Sequence, residues 1–579
     1  MPRTPPRRAL VASDRDPPLP PDPTSRPWSL GAAGAAVESR LAAWASSDAV
    51  GRLWRRDPAF WPAAPPSDVS SRLGWLRTPE QSASRVTELS AFAEDVIREG
   101  VDHILLLGMG GSSLAPQVLS AVLPHGRGRP DLTVLDSTHP EAVRAVAERC
   151  PPDRTLYLVS SKSGTTLEPN AFFRFFWARA ARTSAAPGQR FVAITDPGTP
   201  LERLAAERRF RACFTAPPDV GGRYSALTVF GLVPAALVGV DLAGLLSTAR
   251  GMVARCAEST DPATNPGLRL GAALGELARS GRDKVVFFTS KTLRPFPAWA
   301  EQLIAESLGK LGRGIVPVAG RLRRSELPRG ADVVGVHLAL TGESDRSTTR
   351  ELDSLAANGT PVLRFELGSP LDLGGEFFRW EFAIATCGAV LEVDPFDQPD
   401  VEHAKELARE AMRGPAPGAG PSVAYGVPPD AGLGPALDGW LASSRPGDYV
   451  AVQAFVAPGP SMDEALERVA SRLRSRLGTV VTVGYGPRFL HSTGQLHKGG
   501  PPSGMFLQLV DEPDADVDVP ELGLSFGRIV RAQASGDRGA LEEHQRRLLV
   551  VNAGPRPLEG LASLARMLGR RAAPPPPAG

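Results

Sequence analysis

The stretch Thr155–Arg182, TLYLVSSKSGTTLEPNAFFRFFWARAAR, decides the fold. Its opening residues, TLYLV, are apolar and β-prone, while PNAFFRFFWARAAR has the length and composition of a helix. Between them, after Ser160, stand four more hydroxyls (Ser161, Ser163, Thr165, Thr166), a lysine and a glycine. A strand that passes through a short polar loop into a helix is half of a βαβ unit, and such units build parallel sheets.

The same alternation extends in both directions. HILLLG precedes SSLAPQVLSAVL, LTVLD precedes PEAVRAVAERC, and RFVAITD precedes LERLAAER. After Gly281 it restarts with KVVFFTS, AWAEQLIAESLG, GIVPV, VVGVHLAL, TTRELDSLAANG, PVLRFEL and FFRWEFAIATCGAVL. Apolar strands alternating with helices mean sheets covered on both faces. The expected class is therefore α/β: two parallel-sheet α/β/α sandwich domains plus a mixed α/β C-terminal segment. The first domain, with N-terminal helices, is placed at 28–250 and the second at 260–412. Residues 1–27 read as a disordered Pro/Arg-rich tail and 413–440 as a Pro/Gly-rich linker. The mixed segment is placed at 441–572.

The 579 residues, 42% hydrophobic and 22% charged, suit a globular chain of two or three domains. A net charge of +2 argues against nucleic acid as a partner. No apolar run is long enough for a membrane span, and the first residues lack a signal-peptide core, so a cytoplasmic location is expected. Cys150, Cys213, Cys256 and Cys387 form no CxxC and read as buried small hydrophobes.

Ligands of an open parallel sheet bind beyond the carboxyl ends of its strands. The loop Ser161–Thr166 lies at such an end and opens a helix, whose unpaired N–H groups attract phosphate. Ser161, Ser163, Thr165 and Thr166 add hydroxyl donors, and Gly164 lets the backbone approach. Lys162 either adds charge or points away. GMGGSSL, after another strand, supplies Gly111 and Ser112 as a second oxyanion loop. A dinucleotide reading of Gly108-x-Gly110 lacks its third glycine, so a small phosphorylated ligand explains more.

GMGGSSL, SKSGTT, GGRYS, EQLIAESLGK and FDQPDVEHAK occur in the order found in glucose-6-phosphate isomerases, and the chain resembles that family over roughly 75–412. The family carries two sugar-isomerase (SIS) domains. GYGPRFLHSTGQLHKGG and SFGRIVRAQASGD are similar to the isomerase half of bifunctional transaldolase/glucose-6-phosphate isomerases. The region before the first sheet is too short for a transaldolase barrel, so the isomerase is expected to stand alone.

The resemblance implies interconversion of D-glucose 6-phosphate and D-fructose 6-phosphate through an enediolate, as in glycolysis and gluconeogenesis, without cofactor or metal. Glu306 is the implied base. It shares a helical face with Gln302, and its apolar surroundings argue for a packed helix. Glu301 and Lys310 read as solvated charges. Arg223 is the implied cation for the enediolate. Lys405, seven residues after the substrate-binding Gln398, is the implied ring opener. The family also needs a histidine, usually from the neighbouring subunit and encoded before FDQ. Here that interval holds only His337, inside a strand-like run. FLHSTGQLHKGG resembles the family's histidine loop, L-H-S-x-G-Q, so the resemblance implies His491, with His497 second. The mixed C-terminal segment is then expected to fold back over the active site. His403 reads as a helix-surface residue.

The expected partner is a phosphorylated hexose, with no membrane or nucleic acid. A homodimer and a separate transaldolase stay open. Three other readings also remain: a non-catalytic SIS-domain regulator, an isomerase of another phosphosugar such as mannose 6-phosphate, and an amidotransferase-type synthase. The last needs an N-terminal cysteine, where Pro2 follows Met1.

Overall fold

A computed structural model describes residues 22–320, 331–343, 345–413, 423–424 and 432–569. It contains three parallel sheets. In the first, β1 (His103–Gly108), β2 (Asp131–Leu135), β3 (Thr155–Ser160), β4 (Phe191–Thr195) and β5 (Ala212–Thr215) are ordered β2-β1-β3-β4-β5. In the second, β6 (Lys284–Thr289), β7 (Val316–Val318), β8 (Val333–Leu340) and β9 (Val362–Leu367) are ordered β7-β6-β8-β9. Strand order reverses between β1 and β3 and between β6 and β8. At such switch points neighbouring loops diverge and leave a crevice.

The mixed α/β C-terminal segment holds a third parallel sheet. Strands β10 (Val423–Ala424), β11 (Tyr449–Phe455), β12 (Val481–Tyr485), β13 (Gly504–Val510) and β16 (Arg547–Asn552) follow the order β10-β16-β13-β11-β12. Long helices, such as Pro460–Leu477 between β11 and β12, make the crossovers that parallel pairing demands. Among the described strands only the two-residue β14 (Asp518–Val519) and β15 (Leu524–Ser525) pair antiparallel with each other.

Both expected disordered segments need correction where they are described. Residues 1–21, 414–422, 425–431 and 570–579 lie outside the described residues, but Asp22–Ser29 runs antiparallel along β9. The Arg26 amide donates to Arg364 O (3.0 Å), and the Val362 amide donates to Ser29 O (2.7 Å). A sheet edge offers unpaired main-chain groups to any extended chain, whatever its composition. The buried Arg379 then holds Asp22 at 2.7 Å. In the linker, Leu433–Ala442 is helical because Leu433, Leu437, Trp440 and Leu441 make one buried stripe despite Gly434 and Gly439. Cys213, on edge strand β5, is exposed, whereas the other three cysteines are buried.

One continuous apolar core, from Ala33 through Phe396, joins the first two sheets. The third has its own core and docks twice. Tyr449, Ala451 and Phe506 meet Val286 and Val318 of the second sheet, while Val519, Phe526 and Ile529 meet Phe172 and Phe176 of the first. The Phe172 and Phe526 rings stack 5.8 Å apart. Among the described residues no helix is long and apolar enough to cross a membrane.

Candidate active site

The two oxyanion loops leave adjacent strands, because β1 and β3 pair in register with Gly108 opposite Ser160. Gly164 has φ +67°, and a Cβ there would sit 2.8 Å from Leu201 N, so the turn requires glycine twice over. Ser161 donates to Thr166 Oγ1 at 3.1 Å, and the exposed Ser163 and Thr165 hydroxyls bond each other at 2.9 Å. The Leu167–Ala180 helix begins directly after them. Lys162 points away: its ammonium is held by Asp196.

On the first loop, Ser112 is buried, and Gly111 packs against the turn that carries Arg223. A Cβ at Gly111 would lie 2.0 Å from Gly222 O. Arg223 is buried, and its guanidinium is occupied all round. Nε donates to Ser307 Oγ (2.8 Å), and Nη2 donates to the Pro395 and Asp397 carbonyls (2.7 and 2.9 Å). Nη1 lies 3.1 Å from Glu306 Oε1 and donates to Gln398 Oε1 at 3.3 Å. Glu306, 7% exposed, takes its second bond from Gln302 Nε2 at 2.9 Å. Both come from the Phe296–Leu308 helix, whose last seven residues are all buried. A fixed carboxylate beside a fixed guanidinium is a base already facing the charge that proton abstraction creates.

Two neighbours expected in solvent are not there. Lys310 is buried against Asp397 (2.8 Å) and the carbonyls of Ser307 and Asp394. Desolvation, and then the Arg223 charge, push its ammonium down to about 8 against the pull of the two aspartates. Glu301 is half-buried, and desolvation pushes its carboxyl up to about 7, with Arg488 opposing.

The third sheet supplies the remaining wall through the turn Arg488–His491 and the helix Gly494–Gly499. His491 Nε2 lies 2.9 Å from Glu168 Oε1. Burial opposes ionisation of Glu168, but the charge and hydrogen bond of His491, with Lys405 farther off, hold the carboxyl below its usual range. A cavity of about 210 Å³ brings Ser163, Thr165, Thr166, Glu168, Lys405 and His491 together. Lys405 is anchored by Glu402 on its own helix at 2.7 Å.

His497 does not reach this cavity. It is buried between Phe489 and Phe506, bonded to Gln453 at 3.1 Å, and burial pushes its imidazole well below the ordinary value. Six residues beyond His491 and on the next helix, it belongs to the apolar side of the loop. His337 lies half-buried in β8, and burial lowers its imidazole. His403 sits on the surface with Glu543 at 2.6 Å.

Sequence reasoning gave Glu168 no role, although it ends the decisive loop. An acid in a first helical turn ordinarily serves only the helix dipole. Gln533 and the buried pair Lys498–Asp537 (2.5 Å) also adjoin the cavity or its walls. Their only trace was membership of the late motifs. Among the described residues no three His, Cys, Asp or Glu side chains are placed to hold a metal ion.

Residues 92–315 match the family model for phosphoglucose isomerase. A glucose-6-phosphate isomerase of Rubrobacter xylanophilus is 31% identical over 392 residues, covering 59% of this chain and 89% of the relative. A probable glucose-6-phosphate isomerase of Natronomonas pharaonis is 32% identical over 365 residues, covering 57% and 83%. The crystal structure of a hypothetical protein from Thermus thermophilus shares the fold. Its TM-score is 0.58 at 24% identity, and the match covers 67% of this chain and all of the other. With nine-tenths of a 31%-identical relative covered, this chain belongs to the phosphoglucose isomerase family.

Proposed function

We propose that the chain interconverts D-glucose 6-phosphate and D-fructose 6-phosphate, with Glu306 as the base. The observation that carries this reading is one connected set of contacts. Glu306 is held by Arg223 and Gln302, Gln302 holds the His491 carbonyl (2.9 Å), and His491 borders the hydroxyl-lined cavity. The phosphate is assigned to Ser163, Thr165, Thr166 and the start of the Leu167–Ala180 helix, with Ser161, Gly164, Gly111 and Ser112 shaping the backbone around it. His491 and Lys405 open the sugar ring, with the imidazole exchanging the proton with the ring oxygen. Glu306 then takes the C2 proton and returns it to C1. Arg223 faces the negative oxygen of the enediolate, and Gln302 and Gln398 fix the groups beside it. As a reaction of soluble sugar phosphates, it is placed in the cytoplasm.

Glu306→Gln tests the assignment, because it keeps the shape and removes the base. Turnover of fructose 6-phosphate in a coupled assay is expected to fall by about a thousandfold or more, with affinity for a sugar-phosphate analogue retained. Wild-type turnover in the variant would remove Glu306 from the mechanism.

A further inference from the structure

We propose that Gln533 is a positioning residue which, with Thr138, locks His491 in the tautomer whose Nδ1 accepts the proton. The inference rests on the isomerase reading of the site and adds to it a group from the third sheet's own domain. Gln533 lies on the Phe526–Glu543 helix and is 4% exposed. Its Oε1 accepts from the buried Thr138 hydroxyl at 2.7 Å, and its Nε2 donates to Glu168 Oε1, also at 2.7 Å.

An amide oxygen can only accept and an amide nitrogen can only donate. A carboxylate oxygen only accepts, so Glu168 draws the Gln533 nitrogen toward itself, and Thr138, donating to the amide oxygen, holds the amide that way round. The hydrogen bond donated by Gln533 favours the ionised carboxylate, so that oxygen stays an acceptor. The same Oε1 faces His491 Nε2 at 2.9 Å, and it is satisfied there only by an Nε2–H. In the neutral ring the lone pair is then on Nδ1, which has no hydrogen-bond partner among the described residues. The other charged groups around the ring are Glu402, Lys405 and Arg409 on one wall and Lys498, paired with Asp537, on the other. None of them donates to Glu168 Oε1.

Selective ¹⁵N-histidine labelling of the full chain reads the tautomer directly, with the His491 signal assigned by its loss in His491→Gln. The wild type is expected to show neutral His491 protonated at Nε2. Gln533→Leu, similar in size, is expected to mix the tautomers and lower kcat on cyclic fructose 6-phosphate by about tenfold to a hundredfold, with KM little changed. Thr138→Val is expected to act in the same direction, and Thr138→Ser, which keeps the hydroxyl, to restore kcat. Wild-type His491 protonated at Nδ1 overturns the proposal whether or not any variant folds. So does a folded Gln533→Leu with the wild-type spectrum and kcat. A wild-type chain with no isomerase activity sinks the functional reading instead, and leaves the tautomer measurable.

Discussion

Gln302 and His491, 189 positions apart, are joined by a hydrogen bond of 2.9 Å from the Gln302 amide to the His491 carbonyl oxygen. The amide's other hydrogen goes to Glu306, also at 2.9 Å. One side chain therefore spends both donors on fixing the carboxylate and holding the turn that carries the imidazole. Gly110 lies under the junction: a Cβ there would be 2.8 Å from the same carbonyl and 2.9 Å from the same amide nitrogen.

Gln302→Leu removes both bonds without emptying the space. A hydrogen bond to a charged group contributes about 1.5–3 kcal/mol, which corresponds to a fall in kcat/KM of about tenfold to a hundredfold. Steady-state kinetics checks it. A variant with unchanged kcat would mean that Arg223 alone fixes Glu306.

His491→Ala is expected to separate the two chemical stages. Activity on the closed sugar should fall by about a hundredfold to ten-thousandfold, the usual worth of a general acid–base group. Proton exchange on an open-chain substrate should survive. Equal losses on both would place His491 in the proton transfer between carbons rather than in ring opening.

Gly111→Ala puts a methyl group 2.0 Å from Gly222 O, which is main chain and cannot rotate away. Overpacking of this kind costs about 1–3 kcal/mol. The turn that must move carries Arg223, so kcat/KM should fall together with the melting temperature. Calorimetry and kinetics on one preparation decide it. A variant with normal Tm and normal activity would show the two loops free to part.

Glu381 is 1% exposed within the Leu373–Leu391 helix, and burial raises its carboxyl well above the ordinary 4.5 with no cation to oppose it. A folded-state value above the unfolded one makes stability greatest below about pH 4.5. Stability then falls as pH climbs toward the folded value, by up to about 1.4 kcal/mol per pH unit. Glu381→Gln removes that slope. Denaturant unfolding at about pH 5 and about pH 8 should show the variant gaining on the wild type at the higher pH. A gap independent of pH would mean that the carboxyl ionises in the fold.

The strands of the first two sheets, β5 apart, were legible because each is a short apolar run bounded by a polar loop, as in KVVFFTS and TLYLVS. The direction of the third sheet was not legible, since its strands lie far apart in the chain and only their pairing reveals it. Asp22–Ser29 was hidden for a different reason: edge pairing uses main-chain groups, which leave no side-chain pattern. In the site, residues with motif spacing were legible. Glu168 was not, because its partners His491 and Gln533 are 323 and 365 positions away. Lys310 and Glu301 misled because lysine and glutamate are seldom buried, and nothing local marks the exceptions.

The origin of His491 in the third sheet sets an order of events during synthesis. Both earlier sheets, with the hydroxyl loop and Glu306, are complete by residue 413, and domains tend to fold as they leave the ribosome. The imidazole comes later, and its docking surface waits for the Phe526–Glu543 helix. On the proposed roles, a half-made chain can grip a phosphate and present its base, yet it meets closed-ring sugar with Lys405 and without the imidazole that opens the ring beside it. Competence toward the common form of the substrate is thus the last property the growing polypeptide acquires.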